Sequence, residues 1–253
     1  MSSRMAVEDT PLPRNPTAAD LREFYESTYP RFHPDVFVPK TVLKAEILGR
    51  VVPPGAFAGL RLVELGCGHG VLLEMVGRLW GAPFLCGVDL SHTHLSRGSE
   101  HFPSLRFVQA DAASMPFMDG SLDVVLFADL LEHVLDPAAT LADIRRVARQ
   151  LVCLVPLESA LIANLHFRWR SMLGKPTTRE TYGHLHRFKK QDLERLLSEA
   201  GFTIMRLEII NESIHPASSA LGKLYQIPQR IMQVWPVLYR RLYGDCTLVA
   251  WCR

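Results

Sequence analysis

The chain has 253 residues, 28 Lys and Arg against 26 Asp and Glu, and a formal net charge of +2. That length holds one large α/β domain with additions, or two small ones, and the 48% of apolar residues can fill a sizeable core. So small a charge excludes a broad nucleic-acid surface, and no apolar run reaches the length of a membrane span. Residues 1–18 are polar and Pro-containing, without the apolar stretch of a secretory signal, and are expected to form a mobile arm. Residues 19–52 read as helical, with helices over Leu21–Tyr29 and Val38–Val51. A strand–helix alternation then begins. Strands are predicted over 60–65, 83–90, 105–111, 122–129 and 151–157, with helices over 71–80, 91–102 and 136–150 between them. Asp119-Gly120 supplies a turn, and Asp136 and Pro137 supply an N-cap and a first helical position. A polar-aromatic connection over 158–189 leads to a helix that stops at Gly201. Residues 202–210 and 246–253 read as the last strands.

Strands apolar on both faces and separated by helices imply a parallel sheet covered on both sides. The expected fold is therefore a doubly wound, Rossmann-like α/β sheet of seven strands, mostly parallel, with an antiparallel last strand. The core is expected over 53–212, an insert or cap over 213–244, and the closing strand over 245–253. The ligand site belongs at the carboxyl ends of the strands. The five cysteines form no disulfide framework. Cys86, Cys153 and Cys252 lie in apolar runs, so a reduced, cytoplasmic protein is expected.

Residues 63–70 read VELGCGHG, with glycines at 66, 68 and 70 directly after the first strand. A nucleotide-triphosphate loop would need a Lys that is absent here. A dinucleotide loop would need its third glycine one residue later. The neighbouring acids discriminate further. Glu64 ends strand one. Asp89 ends strand two, where a carboxylate can accept two hydrogen bonds from a ribose diol. Asp111 ends strand three and can accept from an exocyclic amine. A ring of carboxylates suits a cation. S-adenosylmethionine carries a sulfonium and an ammonium, and its single carboxylate can lie near the N–H groups of a helix start.

In order along the chain, VELGCGHG, GVDLS, VQADAASMPFMDGSLDVV, ADLLEHVLDP and HLHRFKKQDLERLLSEAGF resemble the class I S-adenosylmethionine-dependent methyltransferases of small-molecule type. The resemblance covers about residues 55–205. It implies S-adenosyl-L-methionine as cofactor and S-adenosyl-L-homocysteine as product. It also implies that Glu64 lies beside the methionine part, and that Gly66, Cys67, Gly68 and Gly70 form a wall of the site. By the same resemblance Asp89 binds ribose, Leu90 packs on adenine, and Asp111 meets the adenine amine with Ala112 beside it. Phe127 and Ala128 approach the methionyl group through backbone atoms, and Tyr25, with Tyr29, can cover the cofactor as a lid or pack on the core. Two departures stand out: the turn before strand five is short, and the long insert before the last strand is foreign to common members.

Asp129 and His133 follow strand four and are candidates for touching the methyl acceptor, or for the outer, charged side of a helix start. His184 and His186 alternate in YGHLHRF and are candidates for a general base, or for holding their loop. His166 and His215 are weaker candidates. No metal is expected, since no Cys or carboxylate completes a set around His184 and His186. Residues 221–244 mix apolar, aromatic and basic side chains. They read as a cap forming an acceptor wall, or as a helix touching a membrane surface. The expected reaction is methylation of an oxygen, or a nitrogen, of a small or medium-sized metabolite, such as one in natural-product biosynthesis. A lipid, quinone or peptide acceptor, a non-catalytic cofactor-binding partner subunit, and a dehydrogenase are the rivals. No nucleic-acid partner is expected.

Overall fold

In a computed structural model the chain is described over residues 12–13, 15–27, 34–157, 172, 183–211 and 246–253. The expectations for the N-terminal arm before Leu12, Tyr29, His166, His215 and the 213–244 insert lie outside the described residues.

Two helices come first, α1 (Ala18–Ser27) and α2 (Pro34–Val51). The alternation follows as β1 (Arg61–Leu65), α3 (Val71–Trp80), β2 (Phe84–Asp89), α4 (His92–His101) and β3 (Arg106–Gln109). Then come β4 (Leu122–Ala128), α5 (Pro137–Val147), β5 (Ala148–Leu157), α6 (Lys190–Glu199), β6 (Ile204–Asn211) and β7 (Cys246–Cys252). The seven strands form one sheet in the order β3-β2-β1-β4-β5-β7-β6. β7 runs antiparallel to both β5 and β6, and the pairs among β1 to β5 are parallel. The strand order reverses between β1 and β4, and that switch point opens a crevice at their carboxyl ends.

Alternation along each strand divides the core in two. Val63, Leu65, Leu151 and Cys153 face one side and pack with Leu141 and Ile144 of α5 and Leu193 and Leu197 of α6. Leu62, Val152 and Leu154 face the other side and pack with Leu48 and Val51 of α2 and Leu72, Leu73 and Val76 of α3. Each fully buried aliphatic side chain contributes roughly 1.5–3 kcal/mol. All five cysteines are buried free thiols. Among the described residues no helix is long and apolar enough to cross a membrane.

The helix ends follow local chemistry. Asp136 accepts hydrogen bonds from Ala138 N–H at 2.9 Å and Ala139 N–H at 3.0 Å, capping α5 with Pro137 at its first position. Gly201, with φ 84, follows α6 in the left-handed region. One boundary differs from expectation: α5 ends at Val147 rather than Gln150. Ala148 and Gln150 instead pair in parallel register with Leu122 and Val124, so β5 starts three residues early. β3 is shorter than expected, and Ala110 and Asp111 leave it to line the crevice.

Candidate active site

The loop after β1 passes over the end of β2. Gly66 N–H and Cys67 N–H both donate to Val88 O, at 2.8 and 3.1 Å. Gly66 and Gly68 have φ of 67 and 52, a region that side chains rarely adopt. A Cβ on Gly66 would come within 3.1 Å of Leu130 Cδ1. A Cβ on Gly68 would meet nothing within 4 Å, and Gly68 lines the crevice.

Asp89 stands beside this loop. Its Oδ2 accepts from Gly68 N–H at 2.8 Å and its Oδ1 from Ser91 N–H at 2.9 Å. Burial pushes its carboxyl above the ordinary value, opposed by the Ser91 and Gly68 N–H groups. An ionised carboxylate has about four acceptor sites, so capacity remains for a ligand diol. Behind it His94 is buried, with Nδ1 4.0 Å from Asp89 Oδ1. The His69 ring lies 4.9 Å from that of His94, and its pKa is lowered to about 4, chiefly by burial and then by His94.

The crevice holds about 1040 Å³ of atom-free space, part of it open to solvent. Asp89, Leu90, Asp111 and Ala112 line one end, and Leu130, Asp129 and His133 the other. The Asp111 carboxylate accepts from Ala113 N–H at 2.9 Å, which fixes the turn after β3. Helix α1 covers the crevice with Leu21 and Tyr25. Glu26 fastens that cover: its carboxylate accepts from Ser91 Oγ at 3.1 Å, His92 N–H at 2.5 Å and Thr93 N–H at 3.3 Å, at the start of α4.

At the far end Asp129 adopts φ 55, the one positive φ outside glycine among the described residues. Its carboxylate meets Lys44 Nζ of α2 at 2.7 Å. Glu132 is buried, and His133 Nε2 lies 3.7 Å from its Oε1. The pKa of His133 is lowered to about 4, chiefly by burial and then by His184. The two rings meet edge to face with centroids 4.8 Å apart. Leu185 N–H and His186 N–H donate to Glu132 O at 2.7 and 3.1 Å, and His186 Nε2 donates to Val134 O at 2.9 Å. These bonds bind the 184–186 segment to the turn after β4.

Residues 25–207 match the model of a methyltransferase domain family. The chain belongs to that family. A curated relative is the ubiquinone biosynthesis O-methyltransferase of Psychrobacter arcticus, 30% identical over 190 residues, 69% of this chain and 68% of that protein. A probable S-adenosylmethionine-dependent methyltransferase of Mycobacterium tuberculosis is 26% identical over 141 residues, 56% of this chain and 48% of that one. The chain spans about two-fifths of the length of the first curated relatives it matches, 41% and 40%. Among solved structures, magnesium protoporphyrin IX methyltransferase from Synechocystis PCC 6803 with bound S-adenosylhomocysteine is similar in fold. Its TM-score is 0.64 at 16% identity, over 93% of this chain and 99% of that one.

In this member of the family the residues present fit S-adenosylmethionine. The open space over Gly68 and the spare acceptor capacity of Asp89 are the features that a nucleoside needs there. Of the residues expected from sequence, Tyr25, Gly66, Gly68, Asp89, Leu90, Asp111, Ala112, Asp129 and His133 line the crevice. Glu64, Cys67, Gly70, Phe127 and Ala128 are not among the lining residues. Cys67 turns inward, so that a Cβ on Gly87 would meet its Sγ at 2.5 Å. The Phe127 ring is fully buried. His184 and His186 face the 132–134 turn rather than the crevice. Sequence reading missed Leu21, Leu130, Val134 and His94. The first three carry only an apolar signal, and His94 looks like any residue of a polar helix.

Proposed function

We propose that this methyltransferase methylates an oxygen of a small or medium-sized metabolite. The observation that carries the reading is the Asp89 carboxylate bound to Gly68 N–H at the floor of a crevice whose far end holds Asp129 and His133. When bound, S-adenosylmethionine supplies a methyl group already activated on sulfur, so the chain chiefly has to align the acceptor. Asp89 receives the ribose diol, Leu90 packs on the base, and Asp111 accepts from its amine. Leu21 and Tyr25 of α1 exclude water above them. A hydroxyl acceptor must also lose a proton, and His133, an imidazole lining the crevice, is the group we assign to receive it.

A second reading, a quinone or lipid acceptor, is favoured by the apolar far end. Leu130, Val134 and Leu135 line it, and Leu135 is 42% exposed. The relatives named for ubiquinone biosynthesis support the same choice. Calorimetric titration with S-adenosylmethionine, S-adenosylhomocysteine and NAD tests the cofactor. Binding of the first two without NAD is expected, and binding of NAD alone would overturn the reading. A panel of phenols, hydroquinones and matched amines then tests the acceptor. Turnover of amines only would move the transfer to nitrogen. Tight cofactor binding with no turnover on any acceptor would favour a non-catalytic partner subunit.

A further inference from the structure

Two imidazoles stand close to Asp89 and take no part in the reaction described above. His94 lies in the first turn of α4, is buried, and lines the crevice. Its Nδ1 stands 4.0 Å from Asp89 Oδ1. His69, from the glycine loop after β1, places its ring 4.9 Å from that of His94. We infer that His94 is a second ribose-binding residue, whose imidazole donates a hydrogen bond to the same ribose hydroxyl that donates to Asp89. The inference rests on the cofactor reading above, in which Asp89 receives the ribose diol.

The spacing carries the inference. A separation of 4.0 Å is too long for a hydrogen bond between the two side chains. It is the span of one bridging hydroxyl. An O–H···O bond of ~2.7 Å and an N–H···O bond of ~2.9 Å that meet at one oxygen put their outer atoms roughly 4–4.6 Å apart. A hydroxyl has one proton to donate and two lone pairs to accept with. An ionised carboxylate only accepts, so Asp89 takes the hydroxyl proton and leaves the lone pairs to a donor. An imidazole N–H is such a donor. Each of the two bonds polarises the hydroxyl and strengthens the other. Asp89 Oδ1 already accepts from Ser91 N–H at 2.9 Å, and a carboxylate oxygen has room for a second donor.

The chain fixes both arms of this clamp through one residue. Ser91 N–H holds Asp89 Oδ1, and Ser91 Oγ accepts the His94 N–H at 3.2 Å, which sets the first turn of α4. The same hydroxyl donates to the Glu26 carboxylate of α1 at 3.1 Å, so the cover over the crevice is tied to the turn that carries His94. His69 packs its ring against that of His94 with the planes tilted by 59°. Burial, then His94, lowers the pKa of His69 to about 4, so this neighbour is neutral and leaves the Asp89 carboxylate to the ligand. A leucine at position 94 would fill a similar volume and could donate nothing. His94 therefore adds selection for a ribose over a sugar that lacks the hydroxyls.

The test compares S-adenosylhomocysteine with its 2′,3′-dideoxy analogue in calorimetric titrations of the full-length protein. His94→Leu is expected to weaken S-adenosylhomocysteine about fivefold, the size of one net hydrogen bond, and to leave the analogue within about twofold. His94→Asn, whose amide N–H can replace the Nδ1–H, is expected to recover most of the loss. Equal losses for both ligands, or no loss for either, would overturn the inference, because a histidine that only packs the wall does not read the hydroxyls. If His94→Leu fails to fold, NMR of wild-type protein carrying ¹⁵N-labelled histidine decides. S-adenosylhomocysteine is expected to shift the ring nitrogens of His94, and the analogue to leave them in place. The same shift with both ligands, or with neither, overturns the inference. Failure of wild type to bind S-adenosylhomocysteine at all would overturn the cofactor reading itself, an outcome distinct from each of these.

Discussion

Asp89 Oδ2 accepts the Gly68 N–H at 2.8 Å, so one carboxylate at the end of β2 holds the loop after β1. Through Oδ1 the same side chain holds Ser91 N–H at 2.9 Å, at the entry to α4. Loss of Asp89 thus removes a ligand acceptor and loosens both segments. Hydrogen bonds to charged groups are worth roughly 1.5–3 kcal/mol, or about 10–100-fold in affinity. Asp89→Ala is expected to weaken binding of S-adenosylhomocysteine by at least tenfold in calorimetry, with circular dichroism showing a folded chain. Unchanged affinity would remove Asp89 from the site.

Most of the sheet was legible in the sequence because buried parallel strands are near-continuous apolar runs. The five parallel strands and the closing pair all form, and Asp136 caps α5 as its type predicts. The places of the glycine loop, of Asp89 at the end of β2 and of Asp111 beyond β3 at the crevice were legible because they follow from backbone conformation and strand ends. The acceptor end was not. Leu185 N–H and His186 N–H reach Glu132 O across more than fifty residues, and nothing in the local sequence of either stretch signals that contact. Nor does anything in Glu26 itself announce that it caps another helix 65 residues away.

Gly68 separates backbone strain from ligand contact. Its φ of 52 makes any side chain costly, by roughly 1–2 kcal/mol, yet a Cβ there meets no protein atom within 4 Å. Gly68→Ala is therefore expected to fold with a modest loss of stability, read by urea denaturation. Its affinity for S-adenosylhomocysteine should fall by more than that stability loss converts to. An equal fall in both would mean that the new methyl group does not face the ligand.

The Glu26 latch couples the cover to the cofactor. Its carboxylate takes the hydroxyl of Ser91 and two N–H groups at the start of α4, the place where a capping acid contributes ~0.5–2 kcal/mol. Glu26→Ala is expected to speed amide exchange across residues 18–27 and to raise the dissociation rate of S-adenosylhomocysteine several-fold. Exchange in β4 and β5 should stay unchanged. Identical exchange over α1 in both proteins would show that Leu21 and Phe24 hold the cover by themselves.

Glu64 carries a stability signature of its own. It is 3% exposed, and its Oε2 has no hydrogen-bond partner. Burial raises its pKa from the ordinary 4.5 to about 8, with Lys44 opposing. The folded chain therefore favours the protonated carboxyl. At low pH both states are protonated and the group costs nothing. Above pH 4.5 the unfolded chain gains by ionising, so stability falls until the folded carboxyl also ionises near pH 8. The slope approaches about 1.4 kcal/mol per pH unit within that window. Glu64→Gln cannot ionise and should lose this dependence. Urea unfolding across the window should show the variant gaining on wild type steadily as pH rises, with the difference levelling off above about pH 8. A constant difference across the window would mean that Glu64 is already ionised in the folded protein, with Lys44 as its partner.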